Sequence, residues 1–572
     1  MERSRIFNKG KNILVLFFII ALQGFFSCES DDSKNNNPNE IALNQVLLAL
    51  GGESIINNAN TISYKVDGSN FEFEQEGPTV EYPINGNNHS YTFTSEMNTR
   101  KVKIDYSIIE FQYPFVYSSD GSTIIINNEE GQISGKYNWS SYYLGRTEST
   151  PLYSSRIEAI LKNQKMANPI ELVKDLVSRI DLTTQTLSRS FSIPTIVGNL
   201  NIKLVINEDT NLPEKAIIME TDFINGDVFF EVVYEDWITT GNLKYPSKLM
   251  FKYDGNVIKT EVLSNIEINP ILSEEEFELG DGSQLSYNLE QARYGVFSSQ
   301  WYHRLLAGGI PIDQPLNNGA LVLENFDLSP FGMLNQTIGE NVKIIGRPDS
   351  SNWPVAIKTS SGIHLVEAPL SPRWTRSVIN AVQNEFPGED MISVIPTHTH
   401  YDHFGGIREI AAEVDKIYIP ENSRTKLENA LSSKHTLVPD AFSNNSNMPL
   451  IENVTGITYI DNGAIEIHLL KLSDNQGNSH AIDNSHSEDI VVVYVPEYNV
   501  LIQADFLYAG IFLRIWNNEM VFPFTGVART ELSQRAEFLV NYIGEKNLNV
   551  DTIIGIHGGK CTMEDLINVA QN

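Results

Sequence analysis

The sequence predicts a two-part fold, a mostly antiparallel β domain followed by an α/β layered domain. Residues 41–290 contain short runs that alternate apolar and polar side chains, separated by Gly, Asn, Asp and Pro, as in antiparallel strands joined by turns. From residue 320, strand-like runs alternate with helices, which is typical of α/β layers. A chain of 572 residues is also long enough for several domains.

The N-terminal segment resembles the signal of a bacterial lipoprotein. A basic start precedes about 14 mostly apolar residues, Ile13–Phe26, which are too few to span a membrane and suit a signal peptide. Ser27-Cys28 then resembles a loose lipoprotein box, which implies a signal peptide over residues 1–27 and a lipid on Cys28. The acidic residues that follow are similar to the surface-export signal of Bacteroidetes-type lipoproteins.

Residues 28–40 are polar and Asn-rich, and we expect them to form a disordered tether. A plainly cleaved secretory signal is the alternative to lipidation at Cys28. Both interpretations place the protein outside the cytoplasm. The lipoprotein interpretation places it in the bacterial cell envelope, anchored to the outer membrane or cell surface.

The β domain, residues 41–290, is predicted to begin with a short helix at Ile41–Leu50 and to contain a helical stretch at Ser155–Ile180. Its order of elements resembles periplasmic lipoprotein-carrier domains, in which helices line a half-open β-barrel. The resemblance implies a mostly antiparallel domain of half-barrel type. It would act either as a scaffold that presents substrate or as a barrel for an apolar ligand. Residues 291–319 are predicted to connect it to the next domain.

The second domain, residues 320–572, is predicted to contain both strands and capped helices. The predicted strands include Val342–Ile345, Val355–Ile357 and Ile363–Glu367, and the predicted helices are Pro372–Asn384, Glu421–Leu431 and Glu531–Ile543. Ser371 is a typical N-cap, because a serine side chain can accept a hydrogen bond from the first turn. Thr562 and Asp565 have the spacing of a capping box at the start of a C-terminal helix.

The charge and the cysteines limit the possible partners. A net charge of −31 argues against nucleic acid, because a polyanion would be repelled. The two cysteines, Cys28 and Cys561, are far apart and do not form a disulfide framework. We expect a small-molecule substrate instead. The lipoprotein-like N-terminus implies a membrane contact through a lipid anchor on Cys28, while the oligomeric state stays open.

The segment His398–His403 is the strongest functional signal. It places three imidazoles and one carboxylate in six positions, after a mostly apolar run and before Gly405-Gly406. Burying these groups together without a cation would cost several kcal/mol, at roughly 2 kcal/mol or more for each unsatisfied polar group. His398 and His400 can face one way from an extended segment, whereas Asp402 and His403 are adjacent and should point in different directions. This arrangement suits two metals, and the absence of thiolates favours zinc over an iron–sulfur cluster.

The pattern His398-x-His400-x-Asp402-His403 followed by a glycine pair resembles the signature of the metallo-β-lactamase superfamily. The resemblance implies an αββα sandwich with a binuclear metal site between its sheets, and further ligands downstream. His486, Asp505 and His557 fill those positions in order. The resemblance thus implies two zinc-type ions, the first held by His398, His400 and His486, the second by Asp402, His403 and His557, with Asp505 between them. His480 is the alternative to His486.

The resemblance implies a hydrolase that cleaves an ester, lactone, amide or phosphoester bond with a metal-activated hydroxide. Asp402 would be its catalytic residue, orienting the nucleophile or relaying its proton. Glu367 follows a strand where family members often have an Asp that orients ligands, and Tyr508 is a candidate for the pocket wall. Asp505 stands where the cysteine-ligand class of β-lactamases has Cys, which disfavours that class. The alternative function is an envelope-anchored carrier of an apolar ligand whose metallo-β-lactamase-like domain is catalytically idle.

Overall fold

The structure, a computed structural model, describes residues 38–72, 84–111, 117–119, 121–135, 149–152, 154–178, 190–195, 200–280, 285–289, 292–293, 338–345, 352–445, 447–471, 489–507, 529–556 and 559–571. The predicted signal peptide with Cys28, and the predicted ligands His486 and His557, lie outside these ranges, as do His480 and Tyr508. Among the described helices, none is both long and apolar enough to span a membrane.

The N-terminal part is one antiparallel sheet of 13 strands. Its strands are β1 (Thr61–Glu72), β2 (Ile84–Glu96), β3 (Lys101–Phe111), β4 (Tyr117–Ser119), β5 (Ser122–Asn127), β6 (Glu130–Gly135), β7 (Thr150–Pro151), β8 (Ser190–Pro194), β9 (Asn201–Ile206), β10 (Pro213–Asp222), β11 (Gly226–Thr240), β12 (Leu243–Tyr253) and β13 (Asn256–Ile268). Buried and more exposed side chains alternate along β9, as expected when one face of a sheet covers a core.

The strand order is β7-β6-β5-β3-β2-β1-β13-β12-β11-β10-β9-β8, with β4 paired to β3. The first and last strands of this part of the chain are therefore neighbours, with Val66 opposite Leu263. Over the described residues the path ends at β7 and β8 without closing. The sheet is thus open over these residues, and its half-barrel shape stays a prediction.

Among the described residues, four α-helices accompany this sheet, α1 (Pro38–Leu50), α2 (Glu53–Asn57), α3 (Ser154–Ala167) and α4 (Pro169–Ser178). The predicted tether to residue 40 is wrong at its end, because α1 already begins at Pro38, and proline is favoured in the first turn of a helix. The predicted stretch Ser155–Ile180 is two helices. Asn168 separates them, and its Oδ1 accepts hydrogen bonds from the backbone N–H groups of Ile170 and Glu171 at the start of α4.

The C-terminal part contains two six-stranded sheets. The first consists of β14 (Val342–Ile344), β15 (Val355–Thr359), β16 (Gly362–Val366), β17 (Met391–Ile395), β18 (Lys416–Pro420) and β19 (Leu450–Val454) in that order, and the second of β20 (Ile457–Ile460), β21 (Ile465–Lys471), β22 (Asp489–Val495), β23 (Val500–Gln503), β24 (Thr552–Gly555) and β25 (Gly559–Thr562). From β16 to β19 the first sheet is parallel. The carboxyl ends of these strands therefore meet at one edge.

The helices of this part are α5 (Pro372–Glu385), α6 (Tyr401–Phe404), α7 (Ile407–Ala411), α8 (Arg424–Ser432), α9 (Arg529–Glu545) and α10 (Met563–Ala570). The two predicted caps are confirmed. Ser371 Oγ accepts a hydrogen bond from Trp374 N, and Thr562 and Asp565 form a reciprocal capping box. The predicted helix Glu421–Leu431 differs at its start, where Glu421–Ser423 is a 3-10 turn that precedes α8.

Three hydrophobic clusters define four layers. One cluster lies between the first sheet and α5, α7 and α8, a second lies between the two sheets, and a third joins the second sheet to α9 and α10. The order helix, sheet, sheet, helix is the predicted αββα sandwich, and it is confirmed for the C-terminal part. Cys561 is buried in the third cluster, in agreement with a structural role.

The β10–β11 hairpin joins the two parts of the molecule. Phe223 and Ile224 at its tip are 4% and 1% exposed and belong to the cluster under α5, α7 and α8. The Asp227 backbone N–H donates to Lys434 O (2.7 Å), and Ser433 Oγ donates to Ile224 O (3.0 Å). The N-terminal sheet therefore supplies part of the hydrophobic core of the C-terminal sandwich.

Candidate metal centre

The histidine cluster follows β17 at the edge where the parallel strands end. β17 is buried between β16 and β18, so the chain leaves the sheet at a fixed position. A short helix, α6, begins at Tyr401, and the glycine pair leads into the next helix, α7, of which Gly406 is the N-cap. The glycines also have a packing role. A Cβ atom at Gly405 would overlap Leu370 O, and one at Gly406 would overlap Thr375 Oγ1.

His398, His403 and Asp505 converge from different segments. One ligand atom from each lies within 4.8 Å of those of the other two, and all three residues are buried. Asp505 follows β23 in the second sheet, so the group lies between the two sheets. The Oδ2 atom of Asp505 is 3.5 Å from His398 Nε2, and its Oδ1 atom is 3.1 Å from His403 Nε2. Each carboxylate oxygen therefore faces a different imidazole.

His400 is adjacent to this group. Its ring centroid is 4.5 Å from that of His398, and the side chain is 1% exposed. His398 is fixed from behind, because its Nδ1 lies 3.0 Å from Thr397 Oγ1. Such a contact at one ring nitrogen leaves the other nitrogen, Nε2, oriented toward the centre.

Asp402 and His403 do not point to different places, and that expectation is wrong. Asp402 Oδ2 is 3.4 Å from His403 Nε2. Both residues are in α6, where successive side chains differ in direction by about 100°, rather than in an extended segment where they would lie on opposite faces. Asn352 also holds this turn, because its Nδ2 donates to the backbone O of Asp402 (2.9 Å).

Glu367 lies where the sequence predicted a residue that orients ligands. Its Oε1 is 3.3 Å from His403 Nδ1, on the ring edge opposite the one that faces Asp505, and the side chain is fully buried. Its backbone has φ 84°, a left-handed conformation that is costly for a residue with a long side chain. The neighbouring Ala368 N–H donates to His403 O (3.0 Å). This contact of Glu367 fits the predicted orienting role.

The electrostatics of the cluster favour an added cation. Burial raises the pKa of Glu367 above its usual range, and the opposing effects of His403 and Thr397 are weaker. Burial by itself would lower the pKa of His403, but Asp505, Asp402 and Glu367 outweigh it and raise that pKa well above its usual value. Three carboxylates around imidazoles are thus an environment that selects positive charge, and the donor set suits zinc.

The other described histidines have structural partners. His364 Nδ1 is 2.7 Å from Ser393 Oγ, and burial lowers its pKa to about 4. His435 is buried beside Asp440, and His468 contacts Tyr542 and Glu466.

Some supporting residues carried no signal in the sequence. Gln503 braces the turn that carries Asp505, since its Oε1 accepts from Leu507 N (2.8 Å) and its Nε2 donates to Leu507 O. Arg535 in α9 donates from Nη1 to the backbone O of Asp505 (3.4 Å). Among the supporting residues that the sequence analysis did not single out, Thr397 had a usable signal, because it directly precedes the first histidine.

Comparisons with known proteins give one family match and several similar solved structures. A model of the metallo-β-lactamase superfamily matches residues 365–554. Among solved structures, the chain is similar to TMB-1 (15% identity, 38% of this chain and 84% of that chain, TM-score 0.27). It is also similar to the DIM-1 metallo-β-lactamase exposed to ceftazidime (15%, 42% and 95%, TM-score 0.29) and to a metallo-β-lactamase from Hirschia baltica (18%, 38% and 84%, TM-score 0.25). No curated protein matches the sequence. Residues 365–554 are a domain of the metallo-β-lactamase superfamily.

Proposed function

We propose that this protein is a metal-dependent hydrolase that cleaves an ester, lactone, amide or phosphoester bond in a small molecule. The observation that carries the proposal is the position of Asp505 between His398 and His403. Its two carboxylate oxygens face the two imidazoles at 3.5 and 3.1 Å, as expected for a carboxylate shared by two cations. A buried carboxylate in that position has little structural purpose without metal.

The proposed ligand set follows the resemblance to the superfamily. His398, His400 and His486 would hold the first divalent ion, and Asp402, His403 and His557 would hold the second, with Asp505 available to both. His486 and His557 lie outside the described residues, and His480 is the alternative to His486. The five described members are brought to one edge of the sandwich, which supports their assignment.

Two zinc-type ions, when bound, would lower the pKa of a bound water towards about 7 and polarise a carbonyl or phosphoryl oxygen. The remaining roles belong to side chains of the protein. Asp402 accepts a proton from the attacking water and keeps it oriented. Glu367 and Thr397 hold the rings of His403 and His398 in place, at 3.3 and 3.0 Å. The low exposure of the cluster excludes bulk water, which strengthens each of these interactions.

We further propose that the enzyme is anchored in the bacterial cell envelope through a lipid on Cys28. The basic start, the apolar stretch of about 14 residues and Ser27-Cys28 support this location. A Cys28→Ala variant should be released from membranes into the soluble fraction. Membrane retention of that variant, equal to the natural chain, would contradict lipidation.

The second candidate is a carrier with an idle metallo-β-lactamase domain, suggested by the half-open sheet. Metal analysis combined with turnover assays on generic ester, lactone and phosphodiester substrates separates the two functions. The hydrolase proposal predicts bound divalent ions and turnover in at least one assay. Bound ions without turnover of any substrate class would favour the carrier.

The residue test uses Asp402→Asn, with Asp415→Asn as the control because Asp415 is an exposed aspartate of the same domain. We expect the first substitution to abolish turnover and the second to leave it unchanged, while both variants keep the circular dichroism of the natural chain. Full activity in folded Asp402→Asn would show that the catalytic assignment is wrong.

A further inference from the structure

A small cavity lies in the N-terminal part, far along the chain from the metal centre. Its volume is about 230 Å³, and it opens between α3, α4 and the sheet. This volume is below the roughly 300–1,000 Å³ of pockets for drug-sized ligands, so its ligand must be small. Part of the wall is apolar, formed by Phe93, Val102, Leu161 and Ile202.

The cations around this cavity are already paired with carboxylates. Arg100 binds Glu158 through its two Nη atoms, with Nη1 at 3.3 Å from Oε2. Lys162 is paired with Glu220, whose side chain is fully buried. Lys165 is paired with Asp175. Within each of these three pairs the positive and negative charges cancel. None of the three cations is therefore left to select an anion.

Two hydrogen-bond acceptors at the same cavity lie outside these pairs. The Glu171 carboxylate accepts from the Asn98 backbone, and the cation that acts on it most strongly, Lys165, is the one that binds Asp175. The Oε1 atom of Gln164 is buried and has no hydrogen-bond partner in the structure. An acidic group and a buried carbonyl oxygen beside an apolar wall create a need for a donor that carries positive charge.

We propose that this cavity binds the ammonium group of a small amphipathic amine, with Glu171 and Gln164 accepting its N–H bonds and its short apolar body against Phe93. The site is independent of the metal centre and of any hydrolysis there. It also changes the ligand class expected for this domain, because a wholly apolar ligand would leave Gln164 Oε1 without a donor and bring no positive charge to Glu171.

The pH dependence follows from the surroundings of Glu171. Burial raises the pKa of Glu171 to about 7, opposed by Lys165 and Lys174 and assisted by Asp175. The paired groups Arg100, Glu158 and Lys162 also face the cavity. Because the ammonium group requires the ionised carboxylate, its affinity should rise as pH increases from 6 to 8, through about 7.

The test is saturation-transfer difference NMR on the full chain with n-hexylamine, n-hexanol and sodium hexanoate as probes. We expect saturable binding of the amine alone, weakened about tenfold or more by Glu171→Gln, because that change removes a charged hydrogen-bond acceptor. Glu214→Gln is the matched control, since Glu214 is an exposed glutamate of the same sheet, and it should bind like the natural chain. Should Glu171→Gln fail to fold, Gln164→Leu tests the same contact.

Three outcomes would overturn the proposal. The first is the absence of saturable binding of n-hexylamine to the natural chain. The second is equal binding of n-hexanol or hexanoate, which would indicate an apolar or anion-binding cavity. The third is unchanged binding of the amine to folded Glu171→Gln and Gln164→Leu. Metal content is measured in parallel and is expected to stay the same in all variants.

Discussion

The two parts of the molecule bury carboxylates in different ways. In the N-terminal sheet, Glu261 Oε1 lies 2.8 Å from Lys259 Nζ and 3.2 Å from His89 Nε2. At the candidate metal centre, the ion pairs of Glu367 and Asp505 are with imidazoles. Lysine brings a permanent charge, whereas imidazole is neutral in its ordinary state at neutral pH. The first arrangement is complete by itself, and in the proposed function a cation from outside completes the second.

The pKa values show the same difference. Burial alone would raise the pKa of Glu261, but Lys259 and His89 outweigh it and lower the value to about 2. Glu367 is equally buried, and its pKa is raised because His403 offsets burial only in part. A buried carboxylate with its own lysine is therefore a structural feature, and one that faces imidazoles indicates a metal site.

The largest effect is expected at the shared carboxylate. Asp505→Asn removes the charge that faces both histidines, so kcat/KM should fall about 1,000-fold or more, equivalent to about 4 kcal/mol in the activation barrier. Kinetics on the best generic substrate measure the loss. Asp415→Asn should retain full activity. If Asp505→Asn were equally active, the carboxylates of the two regions would no longer differ in function.

A slightly smaller effect is expected at Glu261, and it concerns stability rather than catalysis. Because the folded-state pKa is lowered from 4.5 to about 2, the stabilisation is present above pH 4.5 and is lost as pH falls through 2. Glu261→Gln should therefore cost about 3 kcal/mol at pH 7, and less at pH 3. Urea unfolding at both pH values checks this. Glu267→Gln, at an exposed position of the same strand, is the control, and a cost independent of pH would contradict the explanation.

The hairpin between the two regions gives a further prediction. Phe223→Ala should destabilise the C-terminal sandwich by about 3 kcal/mol, because it leaves a cavity under α5 and α7. Phe229 is the matched control, since it is in the same hairpin and 47% exposed, and its replacement by Ala should cost much less. Thermal unfolding of both variants decides the question. Equal losses would mean that the tip of the hairpin is not part of the sandwich core.

The smallest effect is expected at Glu367. Glu367→Gln keeps the shape of the side chain but weakens the contact with His403, so metal affinity should fall about 10- to 100-fold. Competition with a chelator measures the affinity. Glu367→Asp keeps the negative charge and should retain more of the metal affinity than Glu367→Gln. A Gln variant with unchanged affinity would limit Glu367 to a packing role.

Much of the sandwich follows from local signals. The alternation and apolar character of Ile363–Val366 predict a buried strand, and Ser371 and Thr562 mark helix starts by hydrogen bonds within one turn. The histidine cluster predicts metal because its chemistry is concentrated in six positions. These features depend on residues close in sequence, so a single chain reveals them.

Other features depend on distant contacts and were not predictable. The tip of the hairpin, Phe223 and Ile224, resembles any other apolar strand end, and only the partner that it packs against shows its role. The convergence of Asp402 on His403 depends on α6 beginning at Tyr401. The left-handed backbone of Glu367 is imposed by its neighbours, since nothing in a glutamate favours φ 84°.

The number of divalent ions retained per folded chain tests the central claim most directly. Mass spectrometry of the intact protein under native conditions, after exposure to zinc and removal of the excess, gives this number. We expect two ions in the natural chain and in Glu261→Gln, and fewer in Asp505→Asn. A natural chain that is folded and retains no ion would show that the carboxylates between the sheets are balanced within the protein, which would contradict the proposed metal centre.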